Sequence, residues 1–134
     1  MLQKLRDFFT SLGSKNFEQQ HNEAIVQMLV WMMHSDGNID PNESDKLDDF
    51  LASVNWQSEA NEKQFVALAT QKVKQIETGE RTEEDLMAEI SAKLKGQEIR
   101  YTAVKVCHEL AKADNFMDKA EVHLFKVFSK SLLK

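Results

Sequence analysis

Ala24-Ile25-Val26-Gln27-Met28-Leu29-Val30-Trp31-Met32-Met33 is the stretch that decides the fold. A helix with one wet side shows a polar residue every three or four positions, and this one is apolar nearly all round, so it belongs in the centre of a core. The helix around it is expected over about Phe17 to Ser35 and stops at Asp36-Gly37. On both sides helical periodicity continues, and the breakers fall where helices should end. Leu2, Leu5, Phe8, Phe9 and Leu12 form a short amphipathic stripe closed by Gly13. After Asp40 a third helix starts with Pro41 in its first position, where a missing N–H costs nothing, and carries Leu47, Phe50, Leu51 and Val54.

Ser58 is the expected cap of a fourth helix, with Phe65, Leu68, Ala69, Val73 and Ile76 on its apolar face and an end near Gly79. Thr82 precedes Glu83, Glu84 and Asp85, acids suited to the first turn of a fifth helix. Leu86, Ile90 and Leu94 are its inner stripe, before Gly96. A sixth helix is expected over about Gln97 to Ala113, and a seventh over about Lys119 to Leu133 with Val122, Phe125, Phe128 and Leu132 inside. No segment alternates with period two. The expectation is an all-α fold: one compact bundle of about seven helices forming a single domain over residues 1–134, with residues 1–15 packing on it as a short amphipathic helix.

Composition narrows the function classes. With 134 residues there is room for one domain, and four Gly and one Pro do not suit a sheet protein with many tight turns. A single cysteine, Cys107, cannot close an internal disulfide. A formal charge of −5 disfavours a nucleic-acid binder, whose footprint should be basic. Lys4, Arg6 and Asp7 break any secretory core at the start, and the longest apolar run, Met28 to Met33, is far below the ~20 residues that span a bilayer. The chain reads as cytoplasmic, with no transmembrane segment.

An internal repeat points to a candidate site. Shifted by 78 residues, Asp36-Gly37-Asn38-Ile39-Asp40-Pro41-Asn42-Glu43 superposes on Asp114-Asn115-Phe116-Met117-Asp118-Lys119-Ala120-Glu121. Both give D-x-x-x-D-x-x-E with an apolar residue before the second Asp, and both join an apolar helix to an amphipathic one. Two helix-turn-helix units of one design follow. Asp40 and Asp118 sit where N-caps belong, with Glu43 and Glu121 three residues on, so capping boxes account for four of the acids. They do not account for Asp36 and Asp114, which fall at helix C-termini where the macrodipole disfavours negative charge. Oxygen ligands from a turn suit a hard divalent cation such as Ca²⁺ or Mg²⁺. The turn is no standard EF-hand loop: Gly37 and Glu43 match its positions 6 and 12, but positions 1 and 3 fall on Met32 and His34, and in the second copy on Leu110 and Lys112.

The apolar helix, the Asp36-Gly37-x-Ile39-x-x-x-Glu43 turn and the amphipathic helix after it resemble the TerB-like tellurite-resistance family. Its relatives include the N-terminal region of a membrane-anchored DnaJ-type co-chaperone. The resemblance spans roughly Phe17 to Leu133, and its specific part is the two acidic turns. It implies a compact helical domain of the cytoplasm, associated with stress-response assemblies near the membrane, whose acids bind a divalent cation. Carried onto this chain, the metal ligands are Asp36, Asp40, Glu43, Asp114, Asp118 and Glu121. The second copy departs from the pattern with Asn115 for Gly and a bulky Phe116.

Other constellations carry less. Glu18-x-x-His21 has the spacing of a di-iron bundle ligand pair, but such a site needs two pairs and two further Glu. Cys107 and His108 are about 100° apart on a helix and do not face each other as nucleophile and base. Cys107 fits a core stripe with Val104 and Leu110; Trp31 and Trp56 read as core, and His34 and His123 as partly exposed helix residues. No organic cofactor motif and no catalytic set emerges, so the expectation is a non-enzymatic sensor or adaptor with protein partners. The alternative is a metal-free, co-chaperone-like interaction domain whose acids are caps and partner contacts. Charge supports it: Asp36 to Asp49 holds six acids and one lysine, and Lys119 to Lys134 four lysines and one acid.

Overall fold

The computed structural model describes residues 18–34, 48, 51, 56, 61–112 and 119–133, with backbone alone for 109–112 and 119–121. Five helices stand among these residues and no strand: α1 (Gln19–Met33), α2 (Glu62–Thr78), α3 (Glu83–Lys93), α4 (Gln97–Lys112) and α5 (Lys119–Leu132). They take the place of the second, fourth, fifth, sixth and seventh expected helices. The expected first helix and the start of the third lie outside the described residues, so the count of seven is not matched; Asp48 and Leu51 are helical.

Helix α1 is the centre. Every side chain from Ala24 to Met33 is buried, and α1 packs on each of α2, α3, α4 and α5. Trp31 meets Phe128 of α5 edge-to-face, with ring centroids 5.6 Å apart, the preferred geometry for two ring quadrupoles. Leu86, Ile90 and Leu94 face inward as expected, joined by Ala103, Val104, Val106 and Cys107 of α4 and by Leu124, Phe128 and Leu132 of α5. Trp56, half-buried, lies against Phe65 at 5.3 Å.

The helix ends follow from local chemistry. Thr82 Oγ1 accepts the Asp85 N–H at 3.1 Å and Asp85 Oδ2 accepts the Thr82 N–H at 3.2 Å, a reciprocal capping box at the start of α3. The start of α2 corrects the expectation of a Ser58 cap. Asn61 is the cap: its Oδ1 accepts the Gln64 N–H at 2.8 Å, while Gln64 Oε1 accepts the Asn61 N–H at 3.1 Å. Gln64, three residues on, supplies the second half of the box. Gly79, at φ +83, ends α2 in the left-handed conformation that a side chain resists. Arg100 of α4 donates from Nε to the Leu94 carbonyl at 2.7 Å and from Nη2 to the Ser91 carbonyl at 3.4 Å. A cation therefore closes the C-terminal end of α3. One expected core position is overturned: Leu68 is 51% exposed. Phe65, Ala69, Val73 and Ile76 share the face of α2 turned to α1, and Leu68 lies about 100° from Ala69, off that face.

Candidate functional site

Of the six acids expected to hold a cation, Asp36, Asp40, Glu43, Asp114 and Asp118 lie outside the described residues. Glu121 belongs to the backbone of α5, and its side chain is not described. What the structure supplies is their framework. Helix α1 ends at Met33 and α4 at Lys112, so Asp36 and Asp114 follow within three residues of the ends of two helices that pack on each other. Helix α5 begins at Lys119, so Glu121 is the third residue of α5 as Asp85 is the third residue of α3. Among the described residues no three His, Cys, Asp or Glu side chains converge as a metal cluster.

Near the C-terminal end of α1 a cleft of about 410 Å³ opens between α1 and α2. Val30, Met33, Leu51 and Val66 give it apolar walls, and His34, Asp48, Glu62, Lys63 and Lys74 a polar rim.

A second feature is absent from the sequence reading. Gln27, in the middle of the apolar run, is only 2% exposed. Its Nε2 donates to Glu89 Oε1 at 3.1 Å and its Oε1 accepts from Lys93 Nζ at 3.0 Å. Glu89 also accepts a hydrogen bond from Lys72 of α2, and lies 3.6 Å from Arg81 and 3.9 Å from Lys93. Lys93 Nζ in turn lies 3.4 Å from Glu23 and 5.3 Å from the centre of the Phe65 ring. Two carboxylates and three cations thus tie α1, α2 and α3 around one buried amide. Burial pushes the Glu89 carboxyl up, but hydrogen bonds from Lys72 and Gln27 and the charges of Lys72 and Lys93 outweigh it and hold its pKa below the ordinary 4.5. An ionised carboxylate with committed partners is a strut, not a proton shuttle. The available signal was the lone amide among nine apolar residues, opposite Glu89 and Lys93 spaced i, i+4.

The remaining candidates resolve locally. The Glu18 N–H donates to His21 Nδ1 at 3.3 Å, so that pair serves the start of α1. His123 Nε2 lies 3.1 Å from Glu83 Oε1 and joins α5 to α3. His34 is the cap residue at the end of α1. Cys107 is fully buried, and desolvation drives its thiol pKa well up, the opposite of an activated nucleophile. His108 is exposed and lies tilted against Phe125, with ring centroids 5.3 Å apart.

With this architecture in hand, a family model described as "Tellurite resistance protein TerB" matches residues 22–132. The chain belongs to the TerB family. The matched span runs from the first buried residue of α1 to the last residue of α5 and takes in both acidic turns of this TerB-family chain. Comparison with curated proteins finds no match, and comparison with solved structures finds none. No helix among the described residues of the TerB-family domain is long and apolar enough to cross a membrane.

Proposed function

We propose that this TerB-family domain is a non-enzymatic sensor or adaptor in a tellurite-type stress response, working in the cytoplasm with protein partners. It responds to a divalent cation, Ca²⁺ or Mg²⁺, held by Asp36, Asp40 and Glu43 and by their repeat partners Asp114, Asp118 and Glu121. The observation that carries this reading is the placement of Asp36 and Asp114. Both follow the C-terminal ends of helices that pack on each other, where carbonyl dipoles disfavour a carboxylate. A cation between carbonyls and carboxylates reverses that preference. Helix α1 touches every other described helix, so a ligand at its end acts on the hub of the bundle.

The test is thermal unfolding of EDTA-stripped protein with and without millimolar Ca²⁺, Mg²⁺, Mn²⁺ or Zn²⁺. An ion at 100 times its Kd adds about 2.7 kcal/mol. The Asp36→Asn/Asp114→Asn variant should lose that gain; an equal gain in the variant, or none with any ion in the parent, overturns the reading.

One observation favours a metal-free interaction domain instead. The Thr82–Asp85 box has the spacing of Asp40–Glu43 and Asp118–Glu121, so this chain does use acids three residues after a cap to start helices. On that reading Asp36→Asn is neutral or slightly stabilising in metal-free buffer. A clear destabilisation there counts against it.

A further inference from the structure

The outer faces of α4 and α5 form one surface. Arg100, near the start of α4, reaches the Ser91 carbonyl, and Ser91 lines a groove with Ser131 of α5, so α4 starts where α5 ends. Further along α4, His108 meets Phe125, two turns back on α5. The two helices therefore lie side by side and antiparallel. Tyr101, Lys105 and His108 are exposed at i, i+4 and i+7, one stripe of α4. On α5, Ser129 and Leu133 follow Phe125 at i+4 and i+8, with Lys126 exposed beside them. The Leu133 N–H donates to the Ser129 carbonyl at 2.9 Å, so Leu133 keeps the helical register. Tyr101 and Leu133 thus stand at one end of the surface, with His108 and Lys126 about two turns, or 11 Å, away and Lys105 between.

Its chemistry departs from that of a solvated face. Tyr101 is 60% and Leu133 37% exposed, two of the three large exposed hydrophobics among the described residues. Neither residues 99–108 nor residues 122–133 contain an acid, although the chain has 22 in 134 residues and a net charge of −5. Lys105 and Lys126 enter no ion pair with a described acid. A surface kept only for solubility carries both signs interspersed. Here one sign is joined to exposed apolar side chains, one of them a tyrosine, a residue type favoured at protein contacts.

We infer that this surface docks an acidic segment of a partner protein, which sets an apolar or aromatic side chain on Tyr101 and Leu133 and carboxylates on Lys105 and Lys126. Half-buried Phe125 lies against His108 at the seam of the two helices, so the apolar surface continues as a strip along that seam. A strip suits a chain segment better than the plane of a lipid surface. The inference rests on the adaptor reading of the domain and needs no cation.

The test, run in EDTA, is selection of phage-displayed random peptides on the full chain, followed by fluorescence anisotropy of the selected peptide as its fluorescein conjugate. The selected peptides should combine an aromatic or large aliphatic residue with Asp or Glu, and their affinity should fall with added NaCl. Binding should weaken roughly tenfold in Lys105→Glu/Lys126→Glu and in Tyr101→Ala, variants whose Tm matches the parent's, and should persist in Lys63→Glu/Lys74→Glu on α2. Peptides that bind these α4–α5 variants as well as the parent overturn the inference but leave the adaptor reading standing; no selected peptide at all removes both. Binding of phosphatidylserine vesicles instead of peptide, abolished by Lys105→Glu/Lys126→Glu, would make a membrane the occupant, and dimerisation by light scattering lost in the same variant would make it a second copy. Either result overturns the inference.

Discussion

Glu89→Gln isolates the charge of the polar strut without changing its shape. The three cations around Glu89 lie within 4 Å, at 3.6 Å for Arg81 and 3.9 Å for Lys93, with Lys72 in direct contact. One such pair at 4 Å has a gross attraction of about 4 kcal/mol at an effective dielectric of ~20. Most of that is returned as desolvation, because the side chains are only partly open to water, 27% for Glu89 and 23–29% for the cations. Pairs of this exposure contribute up to about 1 kcal/mol, and a hydrogen bond from a buried amide to a charged acceptor about 1.5–3 kcal/mol, of which an amide acceptor keeps a part. The expected loss is thus about 1–2 kcal/mol at pH 7, a few degrees of Tm for a domain of this size. The pH dependence has a definite sign. Glu89 has a depressed pKa in the folded state, so its contribution is fully present above the ordinary value of 4.5 and disappears as pH falls through the folded-state value. Urea unfolding of parent and variant across that range measures both quantities. Equal stability at pH 7, or a difference that persists undiminished in acid, refutes the assignment of Glu89 as the ionised centre of the strut.

Three further outcomes are expected. Phe128→Ala empties a fully buried site against Trp31 and should cost about 3–5 kcal/mol by denaturant unfolding, with a red-shifted Trp31 emission; a loss under 1 kcal/mol would contradict the packing. Thr82→Ala breaks one half of the α3 capping box and should cost about 1 kcal/mol in the same assay, whereas a neutral result removes the cap from the account. Cys107 should resist thiol reagents in native protein and react on unfolding, with a rate set by opening of the bundle; rapid native labelling would place it at the surface.

The legible parts of the fold were those set by neighbours in sequence. Gly79, Thr82 and Gly96 punctuate α2, α3 and α4 because capping and left-handed geometry involve residues at most a few positions apart. Asn61 shows the limit of that reading: Ser58 is an equally good cap type, and only Gln64 returning to the Asn61 N–H separates the two. Leu68 was placed inside by helical periodicity, and it stands 51% exposed, about 100° around α2 from buried Ala69. The strut was illegible for another reason. Gln27 finds its partners 62 and 66 residues away, a distance at which periodicity carries no information. For the candidate cation site, sequence supplied the repeat and the structure supplied the packed helices that precede its two turns; the acids of the turns lie outside the described residues, with Glu121 present as backbone alone.

The position of α1 in the chain sets a timing problem for synthesis. Its buried wall from Ala24 to Met33 leaves the ribosome before any of the helices that cover it, and the ring that closes on Trp31 belongs to Phe128, 97 residues later. At about 5–20 residues per second that interval lasts roughly 5–20 s. Until Phe128 arrives the nascent chain carries an incompletely covered apolar cylinder, a natural substrate for a holdase. A premature stop before α5 would leave the Trp31 side of that cylinder without its Phe128 cover, and its product should be prone to aggregation or proteolysis.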